Sequence, residues 1–346
     1  MSAVPTLAPA LPSRELEGEL LALVGEPGAR TLSLTMSKDP NAKLTVLVFP
    51  AGAGDPALVV KVPTTARAAV AVAREHRLLL ALHALDAGPV LATVPAVAGM
   101  VHHDGLPALV TSALPGTPLR TAYYRPGHTG RPAGVAADLA AVGAWLGAFQ
   151  SATAGPPAPI DLGGGLSQRL RGRFGAEADE VGEGLEALLE RLGAWAPPST
   201  AVHGDLWFGN VLTAGQVTGV VDWEAGAIRG DPVRDLARFV LAYALYLDRH
   251  TRPGRRVRGH PGLRATRWGA GVAYALDGTG WFPGLVRRFL SDGLRRLGLP
   301  GVLWRDAALA GLADVAVSAD HADFALAHLR LLRRLLAAGP SRGGGR

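Results

Sequence analysis

Residues 203–210 read HGDLWFGN: a histidine, an aspartate, two aromatics, an asparagine and two glycines around a single leucine. Such a mixture makes a poor helix and a poor strand. It runs straight into NVLTAGQVTGVVDW (210–223), which reads as strand, Ala-Gly turn, strand. A hairpin brings its two ends together. Asn210 at its start and Asp222 at its end are therefore expected side by side, with Asp205 in the loop that leads in. Carboxylate and amide oxygens are what a magnesium ion accepts, and that ion commonly takes further ligands from substrate phosphates. The chain has no cysteine, so neither a thiolate metal site nor a disulfide is possible, and nothing here offers the imidazole cage that zinc wants.

A phosphate needs a cation, and the lysines stand out. Lys38, Lys43 and Lys61 are the only three against 32 arginines. Lys61 sits inside the apolar run ALVVKVP (57–63), where an ammonium must snorkel or be paired. Glu75, near the middle of the helical stretch that follows, is the candidate partner for a helix packed on that strand.

The rest of the chain supplies the frame. With 346 residues, two lobes are expected rather than one core. TLSLTM and KLTVLVFP read as a hairpin around SKDPN, ALVVKVP as a third strand, residues 66–85 as a helix, and LPALVTSALPG as a strand ending in a Pro-Gly turn. SRELEGELLALVG (13–25) reads as a short amphipathic helix. After residue 116 the pattern is helical, interrupted only by the hairpin; 306–339 reads as one helical stretch. The expected division is a disordered N-terminus over 1–12, a nucleotide-binding lobe over 13–116, a catalytic and substrate lobe over 117–340, and a disordered tail over 341–346. No apolar run of membrane-spanning length is free of charge and proline, and the N-terminus lacks the basic start of a secretory leader, so the protein is read as cytoplasmic.

Lysine on the third strand, glutamate on the next helix, then Asp and Asn on a loop, a hairpin and a further Asp follow the order of a phosphoryl-transfer scaffold. With the hinge-like LVTSALPGTPL, the segment VHGDLWFGNVL and GVVDWEAGAIRGDPVRDLA, the sequence resembles the aminoglycoside phosphotransferase and choline kinase group, the small-molecule branch of the protein-kinase-like fold. The resemblance covers roughly residues 30–240. It implies an α+β, two-lobed fold with an N-terminal antiparallel sheet carrying a helix and a larger, mainly helical C-terminal lobe. It also implies an enzyme that uses ATP or GTP with Mg²⁺ to phosphorylate a hydroxyl of a small molecule. Asp205 would be the catalytic base. Asn210 and Asp222 would hold magnesium, and Glu224 would help with a second ion. Lys61, kept in place by Glu75, would hold the α- and β-phosphates, and Ser112 and Ala113 at the hinge would meet the nucleotide. His203 and Asp235 would brace the catalytic loop. The turn MSKDPNAK (36–43) departs from a glycine-rich loop, which leaves phosphate contact to Ser37 or an amide beside it. Gln150 stands where relatives often carry histidine and is read as a packing or loop-bracing position. Asp231 before Pro232 reads as a helix cap.

The acceptor is less defined. Asp314, Asp320 and Asp323 could face a cationic substrate, and helical spacing would put 320 and 323 on one face. RHTRPGRRVRGHPGLRATR (249–267) pulls the other way: seven arginines and no acid make it a candidate site for an anionic ligand. The rival readings are a kinase for an anionic sugar, lipid or protein target, and an inactive kinase-like binding module. The presence of Lys61, Glu75, Asp205, Asn210 and Asp222 argues against the inactive module. A nucleic-acid partner is not expected, because no aromatic interleaving accompanies the arginines.

Overall fold

The structure, a computed structural model, describes Gly18 and residues 28–34, 42–162 and 164–339. The helix read over 13–25, apart from Gly18, lies outside the described residues, as do Ser37 and the tail 341–346.

The N-terminal part is a five-stranded antiparallel sheet in the order β1-β2-β3-β5-β4. Its strands are β1 (Arg30–Leu34), β2 (Lys43–Phe49), β3 (Leu58–Pro63), β4 (Val97–His103) and β5 (Leu106–Ser112). Alternation along β2 and β3 buries Leu44, Val46, Val48, Val60 and Val62 in one small core. The register pairs Thr45 with Lys61. Residues opposite each other share a sheet face, so Lys61 projects from the side that also carries Lys43, two positions along β2. Helix α1 (Ala66–His83) is capped by the Thr65 hydroxyl, which accepts from the Ala68 N–H, and buries Val72, Glu75, Leu78, Leu79 and Leu82.

Past the linker 113–116 the chain is mainly helical, as expected. The elements are β6 (Thr117–Pro118), α2 (Leu119–Tyr123), α3 (Pro132–Ala152), α4 (Leu166–Phe174), α5 (Ala176–Asp179) and α6 (Gly182–Gly193), then β7 (Thr200–Val202), β8 (Val211–Thr213), β9 (Val217–Val220) and β10 (Ala227–Gly230), and finally α7 (Val233–Leu245), α8 (Ala270–Asp277), α9 (Trp281–Arg296), α10 (Trp304–Ser318) and α11 (Ala322–Ala338). The hairpin read from the sequence is β8–β9, to which β6 adds a third strand. The pair β7–β10 was not anticipated: each strand is short, and the two lie 24 or more residues apart. By length and composition α3 would suffice to cross a membrane. Its proline and its Asp138 kept it from being read that way, and in the fold it buries Val135, Leu139, Val142, Trp145, Leu146 and Phe149 in the main core.

The single helical stretch expected over 306–339 is two helices. The break falls at 319–321, where Ala319 is extended with ψ 132°. Arg173 donates to the carbonyls of Val317 (2.8 Å) and Ala319 (2.6 Å), satisfying acceptors that a continuing helix would have used. Asp320 therefore precedes α11, and the expectation that it shares a helical face with Asp323 fails.

Candidate active site

On the sheet side of the cleft, five charged groups form two adjacent sets of ion pairs. Lys61 Nζ donates to both Glu75 oxygens and to Asp222 Oδ1, each at 2.7 Å. Glu75 Oε1 also accepts the Trp223 backbone N–H at 3.0 Å, which ties α1 to the segment after β9. Lys43 pairs with Glu224. Glu75, Asp222 and Glu224 each offer an oxygen within 4.8 Å of the others. Burial opposes the charge on Lys61, but Asp222 and Glu75 outweigh it and hold the ammonium above its ordinary value. Burial likewise opposes ionisation of Asp222, and Lys61 with Lys43 hold its carboxyl well below the usual range. Burial and the neighbouring Asp222 push Glu224 up, against the pull of Lys43. Asp222 takes φ +72°, a left-handed conformation uncommon for a side chain larger than glycine and characteristic of functional positions.

The loop 203–210 is braced from beneath. Asp235, on the first turn of α7, accepts the backbone N–H groups of His203 (2.6 Å) and Gly204 (2.8 Å). The buried His203 ring donates from Nε2 to the Val221 carbonyl (2.9 Å) and accepts the Asp205 N–H at Nδ1 (3.2 Å). Gly204 sits at φ +80° against the Ala225 carbonyl, where no Cβ fits. Asn210 donates to the Asp205 carbonyl (3.1 Å), while its own carbonyl accepts from Val221 N–H (2.9 Å), closing the hairpin. The ends of β8–β9 thus meet as the spacing implied, and Asp205, Asn210, Asp222 and Glu224 open onto one cavity of about 810 Å³.

The helical side of that cavity comes from α7 and α11 and the break between α10 and α11: Trp207, Arg238, Tyr246, Asp320, Asp323 and His328 line it, among others. Arg238 Nε (3.0 Å) and Nη2 (2.5 Å) donate to Asp205 Oδ1. His328 is buried and donates from Nδ1 to the Phe324 carbonyl at 2.8 Å. Burial, reinforced by Arg238, pushes its pKa down to about 4. Arg67 of α1 reaches across the cleft to Asp320 at 2.7 Å.

A family model described as the phosphotransferase enzyme family matches residues 44–268. The chain belongs to this family. Among solved structures it is similar to a choline kinase from Streptococcus pneumoniae (11% identity, covering 94% of this chain and 98% of that one, TM-score 0.51). A glucosamine kinase solved with glucosamine, ADP and inorganic phosphate is also similar (17%, 94% and 84%, 0.50), as is a macrolide 2′-phosphotransferase from Brachybacterium faecium (19%, 92% and 97%, 0.48). The first two share its protein-kinase-like fold. No curated protein sequence matches the chain.

In this phosphotransferase the site brings together Lys61, Glu75, Asp205, Asn210, Asp222 and Glu224, with His203 and Asp235 beneath them. Ser112 and Ala113 lie at the end of β5 with their N–H groups taken up by the carbonyls of Ala96 and Ala57, both at 2.8 Å. The Ser112 hydroxyl accepts the Ala96 N–H. Gln150 braces the loop before α7, donating to the Pro232 carbonyl at 2.8 Å. Asp231 accepts the Val233 N–H at the start of α7 (3.0 Å) and two further N–H groups, of Asp161 and Leu162. Trp207 lines the cavity, whereas Phe208 is fully buried and stacked on Tyr123. Asp314 is buried against Arg234 at 2.8 Å and does not line the cavity. The arginine-rich stretch 249–267 lies outside the cavity lining; Arg252, Arg255, Arg256, Arg258, Arg264 and Arg267 are exposed. Sequence reasoning missed Lys43, Arg238 and His328. For Lys43 a signal existed, its rarity and its place two residues before Thr45 on the face of Lys61.

Proposed function

We propose that this phosphotransferase moves the γ-phosphoryl group of ATP to a hydroxyl of a small molecule held in the cavity between Asp205 and α11. The observation that carries the reading is that Asp222, tied to Lys61 and through it to Glu75, opens together with Asp205, Asn210 and Glu224 onto one cavity of about 810 Å³. The fold it shares with a kinase solved with ADP supports a nucleotide donor.

Lys61, pre-positioned by Glu75, donates to the phosphates. Asp222, Asn210 and Glu224 line the cavity together and offer only oxygen donors of the kind magnesium takes, and in the Glu75, Asp222 and Glu224 cluster two ammoniums against three carboxylates leave room for a cation. When bound, that ion neutralises charge on the terminal phosphates. Asp205 lines the acceptor side and accepts the hydroxyl proton as the oxygen attacks. His203 and Asp235 keep the loop in shape for that contact. The lobe division at 116/117, with nucleotide above and acceptor below, is part of the same proposal.

The test is ATP turnover against a panel of aminoglycosides, macrolides, amino alcohols and neutral and acidic sugars, with Asp205→Ala and Asp222→Ala alongside. A magnesium-dependent rate stimulated by one class and lost in both variants by about 10²-fold or more supports the reading. Absence of turnover together with absence of any nucleotide-induced rise in melting temperature sinks it.

A further inference from the structure

One turn of α7 holds three consecutive residues of the catalytic loop. Asp235 takes the backbone N–H groups of His203 and Gly204. Three positions on, along the same face of the helix, Arg238 takes the side chain of Asp205. Both of its donated bonds, from Nε and Nη2, converge on one oxygen, Oδ1. A guanidinium can span both oxygens of a carboxylate, so this geometry distinguishes them. The second oxygen of Asp205 accepts no hydrogen bond from the described residues, and the side chain stays 37% exposed on the cavity.

The third nitrogen of Arg238, Nη1, is buried without a hydrogen-bond partner. A buried donor left unmade is a cost, and an apolar residue of similar volume would not incur it. Stability alone therefore does not account for an arginine here. The nearby cations are committed elsewhere: Arg234 to Asp314, Lys61 to Glu75 and Asp222, Lys43 to Glu224. Among the described residues Arg238 is the one cation within ion-pair distance of Asp205.

We infer that Arg238 is the positioning residue of the base: it fixes Oδ1 of Asp205 and so turns Oδ2 toward the acceptor hydroxyl. The inference rests on the reading of Asp205 as the base. On transfer, the hydroxyl proton passes to Oδ2, the acceptor oxygen forms the new bond to phosphorus, and the bond to the nucleoside diphosphate breaks. Arg238 exchanges no proton and acts only through Asp205.

The test is a double-mutant cycle with Arg238→Met, Asp205→Asn and the double variant, plus Arg238→Lys. It is read as turnover of Mg·ATP to water, as the shift in melting temperature on adding Mg·ADP, and as melting temperature without ligand. Arg238→Met should lower kcat by about 100-fold, the order expected for a displaced catalytic group. Its ATP KM and Mg·ADP shift should stay close to wild type. Arg238→Lys should recover part of the loss, and the double variant should be no slower than Asp205→Asn, because the two residues act as a unit. Arg238→Met at the wild-type rate, or slowing Asp205→Asn by the same factor as it slows wild type, overturns the inference. If the wild type neither turns over ATP nor responds to ADP, the proposed function fails. The ligand-free cycle then decides Arg238 separately: a fall in melting temperature that vanishes in the Asp205→Asn background supports the positioning pair, and an equal fall in both backgrounds overturns it.

Discussion

The sheet side of the cleft joins Lys43, Lys61, Glu75, Asp222 and Glu224 by ion pairs that span both parts of the chain, and it is already assembled. The helical side sets Asp205 and Arg238 beside Trp207, Tyr246 and His328, with Asp323 exposed at the rim. A site for phosphate meets the same charges in every turnover, and fixed, mutually neutralising partners suit it. A site that selects an acceptor is instead defined by shape and a few polar groups on a helix face. Variants on the sheet side should therefore cost stability as well as turnover, while on the helical side those at Asp205 and Arg238 should cost turnover and those at the remaining residues should mainly change pH response or acceptor use.

The largest effect is expected at Glu75. It is 1% exposed, holds Lys61 with both oxygens and accepts the Trp223 N–H. Glu75→Leu leaves a buried donor unmade and Lys61 with Asp222 alone. A loss of about 3–5 kcal/mol is expected, the size for breaking one side of a buried ion pair. Urea unfolding measures it. A loss below about 1 kcal/mol, the scale of an exposed pair, would mean that the sheet side is no more interlocked than the helical side.

The sheet side was also the legible one. Strand alternation isolates Lys61, helical spacing puts Glu75 on the buried face of α1, and the length of the hairpin brings Asn210 to Asp222; all three are local periodicities. Two features of the helical side escaped because they depend on packing between distant segments. His328 lies 90 positions beyond Arg238 and faces the cavity only because the chain breaks at 319–321, where the sequence reads as continuous helix. Arg238 belongs to an apparently ordinary amphipathic helix, and nothing local marks which of its cations reaches Asp205. Lys43 bonds a residue 181 positions away, so its rarity could flag it but not name its partner.

His328 gives the second prediction. It is 4% exposed, and its folded pKa lies near 4 against an ordinary value of 6.5. The unfolded chain therefore binds a proton that the folded one refuses. The stability from this group is complete above pH 6.5 and is lost as pH falls toward 4, to a total of about 3 kcal/mol. His328→Gln should flatten the stability profile over that interval and leave it unchanged at pH 8. Urea midpoints at pH 8, 6, 5 and 4.5 test this. A variant whose acid slope matches the wild type would show that His328 does not weaken the helical side in acid.

Arg67–Asp320 should have the smallest effect, although it joins the two sides directly. Its side chains are 59% and 38% exposed, so water screens the attraction and the long arginine pays in rotamer freedom. Arg67→Ala should change unfolding stability by no more than about 0.5 kcal/mol, and raising the salt concentration in the wild type should reproduce most of that change. Since Asp320 lines the cavity in which we propose the acceptor binds, the same variant should alter the KM for the acceptor more than the KM for ATP. A stability loss above about 1.5 kcal/mol would place this contact with the interlocked groups of the sheet side rather than with screened surface pairs.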